Sequence, residues 1–197
     1  YLMVSFTSDW LYPSEQSRAI VDALLAEGKN VSYCDVVTAC GHDAFLLEDD
    51  LAVYGGLVNG FLDNLRHDDH PARVPASVRP ASPATHIFHG HRLDYHMVLS
   101  LVAPGASVLD LGCGDGELLA RLTVDKGIRG KGVELNESFV LGSVCRGISI
   151  IQRDIERRLD CYGDQSVDYA ILSQTVQTIR DPERVFKELL RVGRRVI

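Results

Sequence analysis

The sequence predicts an α/β fold built in two segments, and three observations carry that prediction. Short apolar runs that read as buried strands alternate with stretches of helical periodicity along most of the chain. One such run, Val108-Leu109, leads into glycines at alternate positions, Gly112, Gly114 and Gly116, and then into the helical ELLARL. Strand, glycine turn and helix open a nucleotide-binding α/β unit, because the backbone must turn tightly and admit a ligand where a Cβ would obstruct it. Between residues 66 and 85 the alternation stops, and Pro71, Pro75, Pro80 and Pro83 in a polar stretch predict a semi-extended linker. The expected units are therefore residues 1–65, the linker 66–85, and residues 86–197.

A chain of 197 residues has room for one or two domains, and 46% apolar with 24% charged residues is the balance of a soluble globular protein. A net charge of −7 offers no basic field for nucleic acid, and no apolar run approaches membrane-spanning length, so neither nucleic acid nor a membrane is an expected partner. The cysteines, Cys34, Cys40, Cys113, Cys145 and Cys161, are scattered without a C-x-x-C pair and cannot all pair, which reads as reduced thiols in a cytoplasmic protein. The chain starts at Tyr1 inside an apolar run and stops at Ile197 as a strand begins, so it is expected to be a fragment of a longer protein.

In the first segment, Tyr1 to Phe6 reads as a strand with Thr7, Ser8 and Asp9 at its end. A helix is predicted from Pro13, acidic at its start, with Ile20, Leu24 and Leu25 inward and Gly28 as its stop. A second strand, NVSYCDVV, begins at Asn30; His42 falls in the following loop beside Gly41, and a closing helix spans Asp50 to Leu65. An acid after one strand and a histidine after the next suit a triad in the chain order nucleophile, acid, base, in which the acid orients the imidazole and stabilises its charged form. By spacing alone, a turn-capping Asp9 and a solvated His42 remain open.

The stretches SDWLYPSEQSRAIVDALLAEGKNVSY and GHDAFLLE closely resemble the C-terminal end of homoserine O-acetyltransferases (MetX), acyltransferases of methionine biosynthesis with an α/β-hydrolase fold. The resemblance covers roughly residues 1–65 and implies Asp9 as the triad acid and His42 as its base. It places the nucleophilic serine upstream of Tyr1, along with the pocket that would choose an acetyl or a succinyl donor. No G-x-S-x-G occurs in this chain, so the fragment alone is expected to lack acyltransferase activity.

Within the linker, His67 and His70 beside Asp68 and Asp69 read as a solvated charge cluster, since nothing rigid holds them as metal ligands. The second segment opens with a predicted helix on which Leu93, Met97 and Leu101 recur, with Val98 and Val102 alongside. His86, His89, His91 and His96 are close in sequence but do not share one face, so no metal site is expected. The glycine turn reads D-x-G-x-G-x-G from Asp110, with Glu117 where a dinucleotide fingerprint would place its third glycine. It looks like the first motif of class I S-adenosylmethionine-binding folds, which implies a loop passing under the methionine and adenosine parts of the ligand; the plainer reading is a strand-to-helix turn. Glu134 ends the next strand, GKGVELN, where a carboxylate can accept ribose hydroxyls. Asp154 follows the strand in GISIIQRDI, where the resemblance to class I methyltransferases implies an acid against the adenine amino group; a helix cap is equally open. VDYAILS is the fourth strand of this segment, Asp181 and Pro182 cap a helix to Arg191 with Val185, Leu189 and Leu190 inward, and RRVI begins a fifth strand. Arg191, Arg194 and Arg195 suit the negative end of that helix.

LDLGCGDGELLARL, KGIRGKGVEL, RGISIIQRDIE, DYAILSQTVQ and LLRVGRRVI together closely resemble MetW, the methionine biosynthesis protein with a Rossmann-like class I methyltransferase fold, across about residues 91–197. The resemblance implies a ligand pocket with Asp110, Gly112, Gly114, Gly116, Glu134 and Asp154 toward S-adenosylmethionine. Ser173, Gln174 and Gln177 are polar but offer no general base near neutral pH, which favours ligand binding over methyl transfer. The fold class expected is thus the C-terminal piece of an α/β-hydrolase fold joined to a truncated methyltransferase fold whose missing strands leave an exposed edge. Three functions follow from the resemblances. The longer parent acylates L-homoserine from acyl-CoA; the second segment is an S-adenosylmethionine-binding regulatory module that contacts and supports the first; or it is a methyltransferase. A homodimer is left open.

Overall fold

The computed structural model describes residues 1–66, 93–157, 159–173 and 175–197. In the first segment, β1 (Leu2–Phe6) is followed by α1 (Ser14–Ala26), β2 (Ser32–Val36), a 3-10 helix over Gly41–Leu46 and α2 (Glu48–Arg66). The second segment runs α3 (Leu93–Leu101), β3 (Ser107–Leu111), α4 (Glu117–Lys126), β4 (Arg129–Glu134), α5 (Glu137–Cys145), β5 (Ser149–Gln152) and β6 (Val167–Ile171). A 3-10 turn at Val176–Thr178, α6 (Pro182–Val192) and β7 (Gly193–Val196) complete it. The proline-rich stretch beyond Arg66, with His67, His70, His86, His89 and His91, lies outside the described residues, as does Gln174.

All strands belong to one seven-stranded sheet in the order β1-β2-β5-β4-β3-β6-β7, and every pairing is parallel. The second segment alone gives β5-β4-β3-β6-β7, with its first strand central and the chain winding first one way and then the other, the Rossmann arrangement. The first segment extends the sheet past β5: β1 and β2 pair along their whole length, and β2 meets β5 at one registered pair, Tyr33 with Ile151. At the far side, the exposed Arg194 and Arg195 stand on β7.

Parallel strands covered on both faces must be apolar on both, and β3 shows how. Val108 packs on one side with Val98 of α3 and Val102 just after it, Leu119 and Leu122 of α4, and Val140 and Val144 of α5, while Leu109 and Leu111 pack on the other with Val21 and Leu25 of α1 and Val185 and Leu189 of α6. On α2, Leu57 joins the first of these layers.

Three helices turn a different face inward from the one the periodicity suggested. On α1, Val21 and Leu25 are buried and Leu24 partly so, but Ile20 is half exposed. On α3, Tyr95 and Val98 are buried, as is Val102 just after it, whereas Met97 and Leu101 lie outside. On α6, Val185, Leu189 and Val192 point in and Leu190 points out. In each case two adjacent apolar residues, 100° apart on the helix, compete for the inward stripe, and only one of them is buried. The cap of α6 is as expected: Asp181 accepts the N–H of Arg184 at 3.1 Å, and Pro182 occupies the first turn. The arginines near its end have specific partners: Arg191 bridges Glu188 and Asp164, Arg194 pairs with Asp168, and Arg195 donates to the Tyr169 hydroxyl.

Candidate functional site

Because the strands are parallel, their C-terminal ends share one rim of the sheet, and every loop of functional interest leaves from that rim. The first site lies where β1 and β2 end. Asp9 follows β1; its Oδ1 accepts the N–H groups of Leu11 and Tyr12, at 2.9 and 3.0 Å, so the turn fixes the carboxylate. His42 sits on the 3-10 helix after β2, entered through Gly41 at φ +68°, whose N–H donates to Ser8 Oγ at 2.8 Å. An ionised carboxylate only accepts, so His42 Nδ1–H donates to Asp9 Oδ2 at 3.0 Å. The Tyr12 N–H, more than any other group, holds the Asp9 carboxyl below its ordinary range; His42 and the Leu11 N–H add to this against the effect of burial. The Asp9 side chain is 8% exposed and that of His42 33%, so the acid is sheltered while the base can be reached. The rings of Tyr12 and Phe45 flank the imidazole at 5.4 and 5.8 Å between centroids. This arrangement fixes one tautomer and leaves Nε2 as a proton acceptor. Among the described residues no nucleophile is bonded to Nε2.

The second site is a cleft of about 870 Å³ above the ends of β3, β4, β5 and β6. Its walls include Gly112, Cys113, Gly114 and Asp115 after β3, Glu134 to Asn136 after β4, Arg153 to Glu156 after β5, and Ser173, Thr175, Thr178 and Arg180 after β6. Here β3 lies between β4 and β6 and the chain reverses direction across the sheet, the place where open α/β sheets take ligands. Gly112 has φ +73°, and a Cβ there would collide with the side chain of Thr175, which covers its backbone. Gly114, at φ +57°, faces open space. The Glu134 carboxylate accepts the N–H of Gly114 at 2.9 Å with Oε2, and those of Leu135 and Asn136 at 2.8 and 2.9 Å with Oε1. It therefore ties the glycine loop to the loop after β4 while lining the cleft. Asp115 is pinned by Arg146 at 2.6 Å, and Asp154 lines the cleft while its Oδ1 takes the Glu156 N–H at 2.9 Å, so the carboxylate also caps its own turn.

Of the residues expected at this site, Gly112, Gly114, Glu134 and Asp154 line the cleft, and Asp110 and Gly116 do not. Gly116 precedes α4 at φ +74°, where a Cβ would press on Ser143. Asp110 is 2% exposed with its Oδ1 unpaired among the described residues, and burial, aided by the charge of Glu134, pushes its carboxyl up to about 7. Ser173 lines the cleft and Gln177 does not. Thr175 was missed in the sequence; its hydroxyl bonds to the carbonyls of Ser173 and Gly112, a contact visible only once the β6 loop folds over β3. Among the described residues no group of three or more His, Cys, Asp or Glu could hold a metal ion, and no helix is long and apolar enough to cross a membrane.

The family described as methionine biosynthesis protein MetW matches residues 92–197, more than half of the chain. The chain belongs to the MetW family. It is also 38% identical, over its whole length, to the bifunctional methionine biosynthesis protein MetXA/MetW of Rhodopirellula baltica, and it spans 31% of that relative. A homoserine O-acetyltransferase of Desulfotalea psychrophila is 50% identical over 62 residues, which is 32% of this chain and 15% of that protein. Among solved structures, a Haloferax volcanii complex of the Trm112 methyltransferase activator with a putative methyltransferase shares 26% identity at a TM-score of 0.43, covering 50% of this chain and 46% of that one. That overlap is partial, and the strand order of the MetW segment, not the superposition, carries the Rossmann assignment.

Proposed function

We propose that this chain is part of a bifunctional methionine-biosynthesis protein in which Asp9 and His42 serve acyl transfer to L-homoserine. The observation that carries the reading is the hydrogen bond from His42 Nδ1 to the sheltered Asp9 carboxylate, which leaves Nε2 free on a partly exposed ring. A serine supplied by the preceding part of the protein attacks the thioester of acyl-CoA and gives its proton to His42 Nε2. That proton leaves with the CoA thiolate. The homoserine hydroxyl then loses its proton to the same nitrogen as it takes the acyl group, and Nε2 returns that proton to the departing serine oxygen, restoring the free hydroxyl and the neutral imidazole. Asp9 holds the ring and stabilises its charged form throughout. The test is CoA release from acetyl-CoA and from succinyl-CoA with L-homoserine, using the protein that includes the preceding part. His42→Ala is expected to lower kcat at least about 10³-fold with the melting temperature unchanged, as loss of a triad base does. Turnover within threefold of wild type would remove His42 from the mechanism.

A second reading concerns the MetW cleft. The join between the Glu134 carboxylate and the Gly114 N–H, the open space beside Gly114 and the acid at Asp154 fit a nucleoside with a cationic sulfonium, as in S-adenosylmethionine. Glu134 would meet the ribose, Asp154 the adenine and the glycine loop the methionine part. When bound, S-adenosylmethionine supplies a methyl group on a positively charged sulfur. The hydroxyls of Ser173, Thr175 and Thr178 provide no strong base for an acceptor, which supports binding over methyl transfer. Calorimetry with S-adenosylmethionine is expected to show saturable binding that Gly114→Val abolishes, since valine at positive φ is strained and its branches enter the cleft. Equal affinity in the variant would refute this pocket.

A further inference from the structure

The end of β2 carries two backbone donors that the sheet does not satisfy. In a parallel strand, alternate residues direct their N–H and C=O groups to opposite neighbours. The Val36 carbonyl accepts the Thr7 N–H on the β1 side, so Asp35 and Val37 face the MetW segment. But β5 stops at Gln152, and the chain turns away as the Arg153 N–H goes to the Glu134 carbonyl. Side chains take over the ladder. Gln152 Oε1 accepts the Asp35 N–H at 2.6 Å, and Glu137 Oε2 accepts the Val37 N–H at 3.1 Å. Gln152 also donates from Nε2 to the Leu135 carbonyl, and Glu137 begins α5, so both are anchored in the MetW segment.

The other side of the same stretch is tied to the loop that carries Asp9. The Thr38 N–H donates to Thr7 Oγ1 at 3.1 Å, and that hydroxyl donates to the Thr38 carbonyl at 3.2 Å. Three residues on, the Gly41 N–H holds Ser8, and then His42 meets Asp9. Residues 35–38 are thus clamped between Gln152 and Glu137 on one side and Thr7 on the other, and His42 follows directly from the clamp.

We infer that Glu137 and Gln152 are positioning residues for the Asp9–His42 pair, so that the MetW segment sets the geometry of an acid–base pair in the other segment. The inference rests on the acyl-transfer reading of that pair. Without the two acceptors, Asp35 and Val37 must find water or rotate, and the backbone leading into the 3-10 helix loses its register against Thr7.

The test reads the imidazole itself, in the 197-residue chain. The Cε1–Hε1 NMR cross-peak of His42 is assigned by its loss in His42→Ala. Asp9→Asn defines where the peak lies when the carboxylate is gone. Glu137→Ala combined with Gln152→Ala is expected to move the peak toward that position or broaden it, while Glu137→Gln, which keeps an acceptor oxygen, leaves it in place. A thermal melt checks each variant; if the double variant does not fold, Glu137→Ala is compared with Glu137→Gln instead. A peak that Asp9→Asn moves and the alanine variants leave untouched overturns the positioning role alone. A peak that Asp9→Asn fails to move overturns the acid–base reading and this inference with it.

Discussion

A buried carboxyl whose Oδ1 has no partner among the described residues is a pH-dependent burden on folding. Asp110 ionises near 7 in the folded chain, against an ordinary value of 3.8. Between those values the folded state keeps a proton that the unfolded state has released, so the contribution is fully present below about 4 and is lost as pH rises toward 7. Urea melts at pH 5 and pH 8 are expected to show Asp110→Asn gaining on wild type by on the order of 1 kcal/mol or more at the higher pH; a constant difference would contradict this assignment. Gly112 is the other residue whose surroundings dictate it. Gly112→Ala is expected to cost about 1–3 kcal/mol from positive φ and the collision with Thr175. Thr175→Ala made in the same chain should recover part of that loss, and strict additivity in the double-mutant cycle would show that the two do not press on each other. The alternate glycines were plain in the sequence because φ constraints are local. Thr175 was not, because its role depends on a loop from another strand.

Helices and strands were largely legible as elements, since caps and apolar runs are local signals; α4 with Leu118, Leu119 and Leu122 buried and α6 with its Asp181 cap are examples. The facing of α1, α3 and α6 was only partly legible, because a stripe with neighbouring apolar residues has more than one plausible centre. Substitution separates the candidates. Leu25→Ala, in a buried site, is expected to cost about 2–4 kcal/mol, whereas Ile20→Ala on the exposed side should stay within about 0.5 kcal/mol. Similar costs for both in chemical denaturation would mean that α1 is rotated from the orientation described.

At the level of the whole molecule, the proline-rich stretch suggested two units, and the structure joins the two segments through one sheet and through α2 on α5. That junction is written in scattered residues, which is why local pattern did not reveal it. It includes one registered pair between β2 and β5, the Arg153–Asp22 ion pair, the donation of Asn64 to the Val144 carbonyl at 2.8 Å, and Gly60 lying against Cys145. A Cβ on Gly60 would come within 2.8 Å of Cys145 Sγ. Gly60→Leu is therefore expected to pry α2 from α5 and lower the melting temperature, and Cys145→Ala made in the same chain should restore part of the loss. An unaltered melting temperature would mean that α2 does not need this close approach. The common direction of the strands has a practical consequence as well. Both candidate sites open from the same rim, so the opposite rim is a back side of strand-entering turns such as the exposed Pro104-Gly105. A dye, an affinity tag or a tether to a bead attached at that turn would present both openings outward, giving every immobilised molecule the same orientation toward the surrounding liquid.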